Sequence, residues 1–71
     1  MAKLGLTTLN DAIVWNAGSL YMVRPLTEEA LEWLHDNTSE DAPWFGDSLA
    51  VEHRYIVDLV HGMRAAGLTV K

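Results

Sequence analysis

The sequence predicts an α+β fold: a three-stranded sheet in the order β-β-α-β-α, with two helices packed on one face. Three observations carry this. Residues 12–24 hold two β-branched and aromatic runs around a turn signal. Residues 27–37 open with a helix cap. Residues 48–68 read as a short strand running into the strongest helical repeat of the chain.

Asn10-Asp11 precede Ala12-Ile13-Val14-Trp15, a run typical of a strand. Asn16-Ala17-Gly18 follows as a three-residue hairpin loop, in which asparagine opens the turn and glycine takes the positive φ that closes it. The second strand, residues 19–24, ends at Pro25, which has no N–H for a ladder. With that loop, Val14, Leu20 and Met22 share one face, and Ile13, Trp15, Tyr21 and Val23 share the other. Both faces are apolar, whereas a hairpin with one wet face alternates apolar and polar. Helices are expected on one side and a second copy on the other, through Ile13, Trp15, Tyr21 and Val23. The chain is therefore expected to form a homodimer, by the free face or an edge strand.

Thr27 is a good N-cap, Glu28 and Glu29 suit the positive end of the macrodipole, and Leu26 and Leu31 stand at the positions of a hydrophobic staple. This helix is expected to reach Asn37 with an apolar stripe of Ala30, Leu31 and Leu34. Trp33 falls off the stripe, so it either folds over its edge or stands exposed for contact. A polar connection through Pro43 leads to the aromatic turn Trp44-Phe45-Gly46, of which at least one ring is expected to plug an end of the core. Residues 48–51 form the third strand. Tyr55, Ile56, Leu59, Val60, Met63 and Ala66 then recur at i, i+3/i+4, and Gly67 stops the helix. Residues 68–71 add a short edge strand or fray. The Gly-to-Val stretches 18–23 and 46–51 each lead to a helix, an echo that supports the element order.

The 71 residues make one small domain, with 1–10 as a loosely ordered lead-in. A chain this short buries roughly 60% of its unfolded surface, so its stability is marginal without help. There is no cysteine, which excludes disulfides and thiolate zinc sites, and no apolar run reaches membrane-span length. The start of the chain is too weakly basic and too quickly polar for a signal peptide. A cytoplasmic protein is the expectation, with oligomerisation as the remaining source of stability.

The net charge of −5 is uneven. No lysine or arginine lies between Arg24 and Arg54, a stretch holding Glu28, Glu29, Glu32, Asp36, Glu40, Asp41, Asp47 and Glu52. Such a surface repels phosphates, so no direct nucleic-acid binding is expected. It is either a solvated face or a patch aimed at a basic partner surface. Of His35, His53 and His61, the last two stand eight apart on one helix, and the intervening i+4 position is Val57. A metal site on one helix needs that spacing, so no metal is expected. No nucleophile motif, phosphate loop or enclosed acid–base pair is present, so neither catalytic residues nor a cofactor are expected, and the chain reads as no enzyme.

Three tryptophans in so short a chain serve either core or interface. Trp33, set among Glu28, Glu29, Glu32 and Asp36, is the best candidate anchor for a protein partner, with the carboxylates steering its approach. Pro25-Leu26-Thr27, Trp33, Trp44-Phe45-Gly46, Val51-Glu52-His53-Arg54-Tyr55 and residues 63–68 together resemble a group of small, uncharacterised proteins of bacteria and their phages. The resemblance covers roughly residues 18–68. It departs at His53, where that group has a proline suited to a first helical position. The resemblance implies an accessory protein of the kind carried by phages and mobile elements, and transfers no activity and no functional residue. The expectation is a non-enzymatic protein acting by protein–protein interaction. The alternative is an acidic inhibitor of a nucleic-acid-handling protein, mimicking phosphate.

Overall fold

The computed structural model describes residues 10–71. The lead-in over residues 1–10 therefore lies, apart from Asn10, outside the described residues. Six elements follow in order: β1 (Ala12–Asn16), β2 (Leu20–Pro25), α1 (Glu28–Asn37), β3 (Trp44–Phe45), β4 (Ser48–Glu52) and α2 (His53–Ala65). The α+β class holds, but the sheet has four strands rather than three, all antiparallel, in the order β1-β2-β4-β3. The extra strand is the aromatic turn. Trp44 and Phe45 pair with Leu49 and Ser48 across a tight connection in which Gly46 takes φ +64°. Two residues are too few to display a strand period, so the run reads only as a turn in sequence.

The hairpin corrects a second expectation. Asn16 pairs with Tyr21 and the Ala17 N–H donates to the Leu20 carbonyl, so the connection is the two residues Gly18-Ser19. Asn16 does open the turn, its Oδ1 accepting from the Gly18 N–H at 2.8 Å, and Gly18 takes φ +97°. The loop is one residue shorter than expected, which moves one strand's side chains to the opposite face relative to the other's. Val14 thus faces Val23, and Trp15 faces Met22. Carried across β4, one face holds Ala12, Val14, Tyr21, Val23, Leu49, Val51 and Trp44. The other holds Ile13, Trp15, Leu20, Met22, Ala50 and Phe45. Tyr21 and Val23 therefore do not share a face with Ile13 and Trp15.

The first of these faces is the core side. Ala12, Val23, Leu49 and Val51 are buried together with Ala30 and Leu34 of α1, Ile56 and Met63 of α2, and Val70. Helix α1 starts as its sequence requires: the Thr27 Oγ1 accepts from the Ala30 N–H at 3.2 Å, with acidic Glu28 and Glu29 in the first turn. Its stripe differs from expectation at Leu31, which is exposed, while Trp33 packs at the core margin, the first of its two expected placements. Helix α2 has no side-chain cap at Glu52, whose carboxylate instead accepts from Arg54 at 3.0 Å. It ends in a Schellman arrangement: Leu68 N–H donates to Met63 O and Gly67 N–H to Arg64 O, both at 3.0 Å, with Gly67 at φ +89°.

The chain end does not fray. Val70 bridges Ala12 in parallel, and the Lys71 N–H donates to the Ala12 carbonyl at 3.1 Å, covering the outer edge of β1. Asp11 clasps this junction. Its Oδ2 accepts from the Thr69 N–H at 2.8 Å, its Oδ1 from the Thr27 hydroxyl at 3.0 Å, and its carbonyl from the Leu26 N–H at 2.7 Å. One carboxylate thereby ties the start of β1, the cap of α1 and the last residues of the chain. No helix among the described residues is long and apolar enough to cross a membrane.

Candidate functional site

Three surfaces stand out. The first is the sheet face away from the helices. Strand alternation sends Ile13, Trp15, Leu20, Met22, Ala50 and Phe45 there. Trp15 is 41% exposed and Phe45 63% exposed, while Ile13, Leu20 and Met22 are half-buried. Arg24, opposite Ile13, and Glu52, opposite Leu20, also stand on this face, and Arg24 makes a largely solvated ion pair with Asp47 at 3.2 Å. Of the four residues expected to carry self-association, Ile13 and Trp15 lie here. Val23 is fully buried under the helices and Tyr21 is half-buried on the same side.

The second surface is the outside of α1. Glu28, Glu29, Glu32 and Asp36 are all exposed. Trp33 is not a free-standing anchor among them. Its indole lies over α2 at Gly62, where an added Cβ would sit 3.1 Å from two atoms of the six-membered ring. Sequence reasoning missed this because the partner is a position with no side chain: the glycine inside a helical repeat was the one available signal. Trp44 is likewise half-buried, stacked on His35 with ring centroids 5.1 Å apart, and it closes the core end as expected of one of the two aromatics.

The third surface is a groove of about 730 Å³ between the C-terminal end of α1, the 38–43 connection, β4 and α2. It exists because β3 is so short. Beyond the bond from the Ala50 N–H to the Pro43 carbonyl at 3.0 Å, no strand flanks the edge of β4 that faces away from β2, among the described residues. The groove takes side chains from both faces of β4, with Leu49 and Val51 from one and Ala50 and Glu52 from the other. Trp33 and Pro43 wall one side, and Tyr55, Leu59 and Gly62 the other. The ionisable side chains among its lining residues are Glu52, Asp58 and Tyr55, and no lysine or arginine is among them. Arg54 stands nearby, held by Glu52 at 3.0 Å and lying over the Tyr55 ring at 4.9 Å. This groove was not legible in the sequence, since it depends on where a two-residue strand stops.

Two of the three histidines, His35 on Trp44 and His53 at the hairpin turn, make local contacts. His53 Nε2 lies 3.0 Å from the Gly18 carbonyl and its ring 4.8 Å from that of Tyr21, which fastens the start of α2 to the hairpin turn. Among the described residues no three His, Cys, Asp or Glu side chains gather as a metal-ion cluster. No family model matches the chain, and neither a curated protein nor a solved structure matches it significantly.

Proposed function

We propose that the chain is a non-enzymatic accessory protein of the cytoplasm that acts by protein–protein interaction, and that it works as a homodimer closed open face against open face. The single observation behind this reading is the apolar, helix-free side of the sheet, with Trp15 and Phe45 on it. A two-fold dimer needs one self-complementary patch, and a sheet face centred on aromatic and aliphatic side chains supplies it. Burying what Trp15 and Phe45 still expose contributes on the order of 2–3 kcal/mol per copy. Ile13, Leu20 and Met22 of both copies add to this, against an association cost of at least about 4 kcal/mol. The covered edge of β1 favours the face over that edge as the contact.

Sedimentation equilibrium at tens of micromolar tests the reading. A species of twice the 7.9 kDa chain mass is expected, reverting to the chain mass in Trp15→Glu. A monomer at all concentrations would overturn it.

A second reading, an acidic inhibitor of a nucleic-acid-handling protein, is favoured by one arrangement. Glu28, Glu32 and Asp36 stand four residues apart along exposed α1, a row of carboxylates rising about 6 Å per step. Partner binding through this row should weaken steeply as salt shortens the Debye length below ~10 Å, whereas binding through the open face should persist or strengthen.

A further inference from the structure

We infer that the groove beside β4 receives a short peptide segment of a partner protein, one that carries a bulky apolar side chain flanked by lysine or arginine. The inference does not rest on the dimer: the groove shares Leu20 and Ala50 with the open face, but its other lining comes from α1, the 38–43 connection, the core side of β4 and α2. Its volume of about 730 Å³ falls within the range of pre-formed sites that enclose a compact ligand or a few side chains. Trp33 and Tyr55, residue types that dominate binding energy at interfaces, line it together with Leu49, Val51 and Leu59.

Charge selects the occupant. Glu52 and Asp58 line the groove, and no cation does. On α1, Glu29 stands four residues before Trp33 and Asp36 three after, so both share its side of the helix, and both are exposed. Among the described residues, Arg54 stands near the groove and is already paired with Glu52. An apolar cleft bordered by Asp58 and Glu52, with no lysine or arginine among its lining residues, disfavours acidic segments and nucleic acid and draws in basic ones, while the cleft buries their apolar anchor. A neutral apolar metabolite would gain nothing from those carboxylates, and a second copy would bring a net charge of −5 toward them.

Selection of random twelve-residue displayed peptides against the full chain is the direct test, followed by fluorescence anisotropy with one enriched peptide. Enriched sequences should share an aromatic or aliphatic anchor with flanking lysine or arginine, and their affinity should fall as salt rises. Tyr55→Ala and Asp58→Lys change exposed groove residues, leave the circular dichroism spectrum unchanged, and should each weaken binding about tenfold or more. Val57→Glu, exposed on α2 outside the groove, should leave affinity unchanged. Binding should also survive Trp15→Glu, which separates it from self-association. The proposal is overturned if no peptide is enriched, if enriched peptides lack basic residues, or if Tyr55→Ala and Asp58→Lys leave affinity intact. It is equally overturned if the amide resonances of Thr38, Asp58 and Gly62, which line the groove away from the open face, shift with protein concentration in the absence of peptide, since a second copy is then the occupant.

Discussion

The two faces of the sheet are built from much the same kinds of side chain, yet they meet different surroundings. Val23 and Met22 are neighbours on β2. Val23 is wholly enclosed with Leu34, Leu49 and Met63, whereas Met22 lies on the side that no helix covers. Composition does not distinguish them, because both faces of the hairpin are apolar. Topology does: both helices pack on one side, which leaves the second apolar face of β1, β2 and β4 with no helix against it among the described residues. A fold this small reaches stability on one face and presents the other.

The sharpest way to break this comparison is to place a carboxylate on each side. Val23→Asp buries a charge with no partner and should cost more than about 4 kcal/mol, enough to unfold a marginal domain. Met22→Asp should cost about 1 kcal/mol or less in the monomer while abolishing self-association. Urea denaturation with circular dichroism reads the first effect and sedimentation the second. Equal destabilisation at both positions would mean that the second face is also core.

The next effect concerns what holds the covered side in place. Asp11→Ala removes the acceptor for both the Thr27 hydroxyl and the Thr69 N–H, and is expected to cost about 2 kcal/mol. Amide exchange should then speed at residues 69–71 and at the start of α1 ahead of the rest. A uniform change would show that Asp11 is not the clasp of that junction.

The smallest effect sharpens the account of Trp33. Gly62→Ala should gain up to about 1 kcal/mol of helix propensity. In the native chain the displaced indole cancels that gain, since the new Cβ would meet it at 3.1 Å. In a Trp33→Ala background the gain should appear in full, giving a coupling of about 1 kcal/mol in a double-mutant cycle. Additive effects would mean that the ring does not rest on this glycine.

Much of this was legible in the chain, and the failures have physical reasons. The Thr27 cap, the extent of α1, the Gly67 stop and the strand at residues 48–51 follow from local chemistry and stand as read. The hairpin faces did not, because a one-residue difference between loops that both use Asn16 and Gly18 exchanges which residues point together. The strand at Trp44–Phe45 is held by pairing with β4 rather than by any pattern of its own. Trp33 stood between two placements, the stripe's edge and an exposed contact, because a helical wheel records the side chains around it and not the bare backbone of another helix. The clasp at Asp11 joins residues 58 apart in sequence and leaves no local trace. The groove shares that origin: it is made by elements that end, and their ends are set by tertiary pairing.

The central claim, that the open face is the surface through which copies meet, is tested most directly by isotope-filtered nuclear Overhauser spectroscopy on a mixture of labelled and unlabelled chain. The account predicts intermolecular contacts from Trp15, Met22 and Phe45 of one copy to the same residues of the other, as two-fold symmetry requires. Intermolecular contacts confined to α1 or to the groove, or none at millimolar concentration, would contradict it.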